Sequence, residues 1–185
     1  LKGLGASRPI LLSGRILEKV GSLKKVTNAI ASTGMEPGAV FTDIPADSSV
    51  EVVNKIGKKY KEAACDSIIA VGGGSIIDTA KGVEMLISQE AEDLLELQGC
   101  ESLIRGKHIP FIAVPTTSGT GSETTLVAVI KNIEKSVKME FISNYLLPDA
   151  AVLDPRMTET LPPKTAGWTG FDALWHAIVA FICTQ

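Results

Sequence analysis

The sequence predicts an α/β fold, a Rossmann-like parallel sheet with helices on both faces plus a β-hairpin, followed by the start of an all-helical region. Three observations carry this. Short apolar runs alternate with segments whose apolar residues recur at helical spacing, the order that buries a parallel sheet between helices. A triple glycine closes one apolar run and opens a helix, as at an anion-binding turn. Two apolar segments later in the chain flank a polar stretch, as hairpin strands flank their turn.

Taken in order, Pro9-Ile10-Leu11-Leu12 is a short strand. Ile16, Leu17, Val20, Leu23, Val26 and Ile30 then follow a helical period, and Gly34 stops it. Ala39-Val40-Phe41 is a second strand. Asp47 or Ser48 is a candidate cap for a helix whose inner face is Val53, Ile56, Tyr60 and Ala63. Ser67 to Val71 is a third strand, ending in Gly72-Gly73-Gly74, and a helix runs from about Ser75 to Ile87. Pro110 to Val114 is a strand that leads into a hydroxyl-rich loop, Pro115 to Ser122. Val127 to Ile130 and Val137 to Ile142 form the hairpin around Lys131 to Ser136, and Ala151-Val152-Leu153 is a last strand. Beyond Pro162-Pro163, Thr165 to Cys183 reads as helix with no strand after it. A boundary near Thr158 to Pro163 divides an α/β domain (1–160) from the first part of a helical domain (161–185).

Composition narrows the partners. Hydrophobic residues make up 45% and charged residues 21%, enough apolar matter for a packed core. The net charge of −3, with Lys and Arg spread along the chain, argues against a nucleic-acid face. No apolar run reaches the ~18 residues of a membrane span, so no membrane partner is expected. Cys65, Cys100 and Cys183 are too scattered for a disulfide framework or a zinc knuckle. They read as reduced thiols in or near a core, with a cytoplasmic location as the expectation.

Three motifs carry chemistry. In Gly72-Gly73-Gly74-Ser75-Ile76-Ile77-Asp78 the glycines let the backbone approach a phosphate, and the helix N-terminus supplies free N–H donors. The competing reading is a plain capping box, Ser75-x-x-Asp78. Pro115-Thr116-Thr117-Ser118-Gly119-Thr120-Gly121-Ser122-Glu123 offers hydroxyls that suit ribose, phosphate or carboxamide, or a loop that satisfies its own backbone. Asp172 and His176 stand at i and i+4 on one helix face, about 6 Å apart at Cβ. That spacing suits a divalent cation, or an ordinary polar helix pair. His108, in a loop-like stretch, reads as solvated.

In this order the segments resemble the iron-containing alcohol dehydrogenase family. The matching stretches are Ala70 to Ser75 with Asp78 and Lys81, Ala113 to Glu123, Leu147-Pro148-Asp149, Leu153-Asp154-Pro155, and Thr169 to Ile178. The resemblance implies NAD or NADP bound in the α/β domain and a metal, Fe²⁺ or sometimes Zn²⁺, held largely by a helical domain. It implies that Gly73, Gly74 and Ser75 hold the pyrophosphate with Asp78 supporting the turn. Thr116, Thr117 and Thr120 then line the cofactor groove, Thr125 and Lys138 contact the cofactor from the hairpin, and Asp172 and His176 are two of four metal ligands. The implied substrate is a small alcohol or aldehyde, and the full-length protein is expected to be a homo-oligomer. Relatives on the same fold, such as glycerol dehydrogenases or dehydroquinate synthase-like proteins, share a glycine-rich turn and a metal.

The chain also departs from the family pattern. His176-Ala177-Ile178-Val179 stands where His-Ala-x-Glu is usual. With His108 and His176 as the two histidines, four-fold ligation within the chain is not expected. It reads as part of a protein about twice as long, and by itself as an inactive nucleotide-binding module. Many NAD-preferring members carry an acidic residue just after the first strand, where this chain has Ser13-Gly14-Arg15. Gly14 removes a carboxylate that would repel a 2′-phosphate, Ser13 is a donor and Arg15 a partner for phosphate, so NADP is expected to be accepted.

Overall fold

The structure is a computed structural model and describes residues 1–99 and 106–184; Cys100 lies outside them. Five strands form a parallel sheet: β1 (Pro9–Leu12), β2 (Ala39–Phe41), β3 (Ser67–Gly72), β4 (Phe111–Pro115) and a two-residue strand between Ala150 and Ala151. The hairpin strands are β5 (Val127–Asn132) and β6 (Val137–Ile142), which makes the two-residue strand β7. The sheet order is β2-β1-β3-β4-β7, and β5 pairs with β6 antiparallel in a separate two-stranded sheet. Strand order reverses between β1 and β3, so the crevice at their carboxyl ends is where a ligand is expected in such a sheet.

Alternation along the strands separates two cores. Ile10, Leu12, Ile68 and Ala70 pack against α3 (Val50–Glu62) and α4 (Gly74–Ser88). Leu11, Ile69 and Val71 face the opposite side, where Leu23 and Ile30 of α2 (Ser22–Ser32) cover them. Helix α3 is amphipathic, with Val53, Ile56 and Tyr60 buried. Helix α4 lies between the sheet, α3 and the hairpin and is buried nearly all round. Its approach to its neighbours is close at Gly82, where a Cβ would stand 2.6 Å from Ile130 Cδ1 and 3.2 Å from Val53 Cγ2.

Several expectations change. The apolar period from Ile16 to Ile30 is two helices, α1 (Arg15–Lys19) and α2, because Gly21 turns left-handed at φ 81° between them. Ile16 is consequently exposed. Neither Asp47 nor Ser48 caps α3; the N-cap is Ser49, and no side chain bonds the helix end. Strand β7 stops at Ala151, leaving Val152 and Leu153 exposed, although the Val152 N–H still donates to Ala113 O at 2.8 Å. His108 is not merely solvated: Nε2 lies 2.9 Å from Asp149 Oδ1, whose second oxygen accepts from the Phe111 N–H. Of the described cysteines, Cys65 is buried but Cys183 is exposed.

The last helix, α5 (Pro163–Ile182), carries no buried residue. Trp168, Phe171, Trp175 and Phe181 are all more than half exposed. No described helix is long and apolar enough to cross a membrane.

Candidate functional site: an uncapped helix end beside a threonine loop

Strand β3 delivers the chain to the start of α4 through Gly73, the N-cap, in extended conformation (φ −82°, ψ −171°). No side chain caps this end, so the Ser75-x-x-Asp78 box is not formed. First-turn N–H groups of a helix have no intrahelical partner and carry the positive end of the helix dipole. A Cβ at Gly73 would stand 2.9 Å from Thr117 Cγ2, whereas one at Gly74 would reach Thr120 only at 3.5 Å. The helix end therefore faces the threonine loop across backbone rather than side chains.

The Asp78 carboxylate is engaged by the loop and the hairpin. It accepts from Ser122 Oγ at 2.5 Å and from the Val129 N–H at 3.0 Å, tying α4 to the threonine loop and to β5. Burial pushes its pKa up, against the lowering effect of those two bonds. One turn on, Lys81 is fully buried. Its Nζ donates to Thr125 O (2.8 Å), Thr125 Oγ1 (3.1 Å) and Val127 O (2.7 Å). Burial lowers its pKa to about 8, with Asp78 and Glu123 pulling the other way. Two charged side chains of one helix thus hold the hairpin and the loop over the helix end.

The residues singled out in the sequence fall as follows. Gly74, Ser75, Asp78, Thr120, Thr125 and Lys138 line one cavity of about 500 Å³, and Asp172 and His176 of α5 line it too. Thr116 is buried behind it, its N–H donating to Gly72 O, and Thr117 packs beside Gly73. Gly14 is not part of the cavity lining; a Cβ there would lie 3.4 Å from Ile76 Cδ1, next to the first turn of α4. Gly119 (φ 138°) brings the threonine loop so close to α5 that any Cβ would run into the Thr169 carbonyl.

Among the cavity residues not foreseen as part of the site are Asp47 and Ser48. Asp47, at φ 57°, reaches across the mouth to Lys138 Nζ at 2.8 Å, and that contact lowers its pKa. Ser48 is buried, lines the cavity, and has an Oγ without a hydrogen-bond partner. An unpartnered buried hydroxyl costs about 1–3 kcal/mol. That cost, the bare glycine backbone and the uncapped helix end fit a polar, anionic ligand. The metal is a different matter. Asp172 and His176 share the cavity, yet among the described residues no group of three or more His, Cys, Asp or Glu side chains could hold an ion. These residues alone do not close a metal site.

The fold has relatives among known proteins. The family described as iron-containing alcohol dehydrogenase matches residues 1–155. A 4-hydroxybutyrate dehydrogenase of Cupriavidus necator is 38% identical over 181 residues, covering 97% of this chain and 46% of that protein. A crystal structure of 1,3-propanediol oxidoreductase superposes with a TM-score of 0.93 at 32% identity, covering 99% of this chain and 47% of that one. A sulfoacetaldehyde reductase from Bifidobacterium kashiwanohense, solved in complex with NAD⁺, superposes with a TM-score of 0.88 at 29% identity, covering 97% and 47%. The fold is thus an α/β domain, a five-stranded parallel sheet with a β-hairpin, of the kind these relatives share. The chain belongs to the iron-containing alcohol dehydrogenase family and corresponds to its N-terminal portion. It spans about half the length of the curated relatives it matches.

Proposed function

We propose that this chain is the NAD(P)-binding half of a metal-dependent alcohol dehydrogenase or aldehyde reductase. The observation that carries the reading is the uncapped N-terminus of α4, which opens with the threonine loop and the Asp172–His176 pair onto a single cavity. Gly73, Gly74 and Ser75 receive the pyrophosphate, Lys138 offers a further polar contact, and Thr117 and Thr120 border the groove, with Thr116 buried rather than lining it. The nicotinamide, when bound, supplies the hydride chemistry; the protein binds it, orients it and shields it from water. Asp172 and His176 are proposed as two ligands of a larger set, the others coming from the half of the relatives' length that this chain does not include. Either NADH or NADPH is a ligand on this reading, because no carboxylate stands at Gly14.

Gly74→Ala tests the cradle. Its Cβ makes ordinary contact with Thr120, so the fold is kept while the phosphate's space is filled. Titration of NADH fluorescence should give saturable binding to the unaltered protein and at least about tenfold weaker binding to the variant. Equal affinities would reject the cradle.

A second reading is favoured by the two-member donor set: the 185-residue chain by itself binds dinucleotide without turnover. Assay with Fe²⁺ and butanol or propanediol should show no NADH formation above background. Robust turnover by this chain would reject it.

A further inference from the structure

We infer that Asp47 is an internal competitor of the ligand's anion: its carboxylate occupies Lys138 at the cavity mouth until a diphosphate displaces it. The inference rests on the proposed cradle at Gly73–Ser75. Asp47 lies beside that cradle. Its backbone N–H donates to Ser75 Oγ at 3.4 Å, and its Oδ1 lies 2.8 Å from Lys138 Nζ. A phosphate group at Ser75 that reaches for Lys138 enters the space which the Asp47 carboxylate now holds.

The hairpin builds a cationic spot at this place. Lys131 and Lys138 are register partners across β5 and β6, and both line the cavity. Like charges directly opposite each other in a sheet repel, so a nearby anion is favoured there. Asp47 supplies that anion from the loop before α3. The bond from Lys138 holds its carboxyl below the usual range, and the Lys131 charge adds to the effect. The loop is held against the hairpin by the Lys131 N–H, which donates to Ser48 O at 2.8 Å, and the Asp47 backbone is left-handed at φ 57°.

The contact occupies the lysine yet can be given up. Both side chains are more than half exposed, and exposed ion pairs contribute little stability. A diphosphate carries more charge than one carboxylate and accepts from the free N–H groups of α4 at the same time, so it wins the exchange. Once displaced, the Asp47 carboxylate turns into water and needs no new partner. Parting the pair nonetheless costs affinity each time a ligand binds, and that loss is the contribution of Asp47.

Asp47→Asn tests this. Asn tolerates the left-handed backbone and removes the charge, so the loop is kept. In NADH fluorescence titrations Asp47→Asn should bind about threefold to fivefold more tightly than the unaltered protein, the worth of an exposed ion pair. In the Lys138→Met background the same substitution should change affinity by less than about 1.5-fold, because the lysine it would free is gone. Inorganic pyrophosphate, titrated as a competitor of NADH, should show the same pattern. NADH bound equally or more weakly by Asp47→Asn would overturn the competitor and leave the cradle standing. A gain of equal size in both backgrounds would overturn it too, since Asp47 would then act by repulsion and not through Lys138. Failure of every form to bind NADH would overturn the cradle and the competitor together.

Discussion

Lys81 is the residue on which the site's architecture turns. A fully buried ammonium is expensive unless paired, and here three oxygens of Thr125 and Val127 surround it. Its pKa, about 8 in the folded protein, lies below the 10.5 of a free lysine. The cost of burying the charge is therefore fully present below pH 8. Between about pH 8 and 10.5 the unfolded chain holds a proton that the folded protein releases, so stability rises with pH. Lys81→Met lacks this proton. Chemical unfolding at pH 8 and pH 10 should show the unaltered protein gaining about 2 kcal/mol on the variant, at about 1.4 kcal/mol per pH unit. A constant difference would mean that Lys81 keeps its charge throughout. The sequence displayed Lys81 only as part of a motif; nothing in spacing announced that it would be buried, because its partners are backbone carbonyls about 45 residues away. Asp47 and Ser48 were hidden for a similar reason. As candidate caps they had a local explanation, and only the hairpin's packing brings Lys138 to Asp47.

At the scale of elements, the cradle depends on α4 being clamped to the hairpin and the threonine loop. Asp78 makes that clamp through Ser122 and Val129. Asp78→Ala leaves a buried hydroxyl and a strand N–H unpaired and should cost about 1–3 kcal/mol in urea unfolding. NADH affinity should fall with it, whereas Asp78→Asn, which keeps an acceptor, should lose less of both. Affinity unchanged in Asp78→Ala would separate the clamp from the site. Strands β1, β3 and β4, helices α3 and α4, and both hairpin strands could be placed from apolar period and glycine stops. Two segments could not. Gly21 sits inside an unbroken helical period, and its left-handed turn splits the segment into α1 and α2. Strand β7 looks three residues long in composition, yet β4 gives it partners over just Ala150 and Ala151.

For the whole molecule, the sheet has two different faces. One is sealed by α3, α4 and the hairpin; the other has α2 over Leu11, Ile69 and Val71, with a groove of about 750 Å³ beside it that includes Val26, Ile30 and Met35. Pocket size alone would favour that apolar groove as the binding site. The physical argument favours the smaller, polar cavity, where an uncapped helix end, the unpartnered Ser48 hydroxyl and the Asp172–His176 pair meet. Neither the cavity nor the exposed apolar surface of α5 could be read from the sequence, since both depend on how distant segments pack. The most direct measurement is a ¹H–¹⁵N correlation spectrum of the ¹⁵N-labelled protein titrated with NADH. Saturating shifts should be largest at the Gly73, Gly74, Ser75, Thr117 and Thr120 amides and nearly absent at Val26, Ile30 and Met35. Shifts centred on the α2 groove, or no saturating shift at the α4 N-terminus, would contradict the assignment.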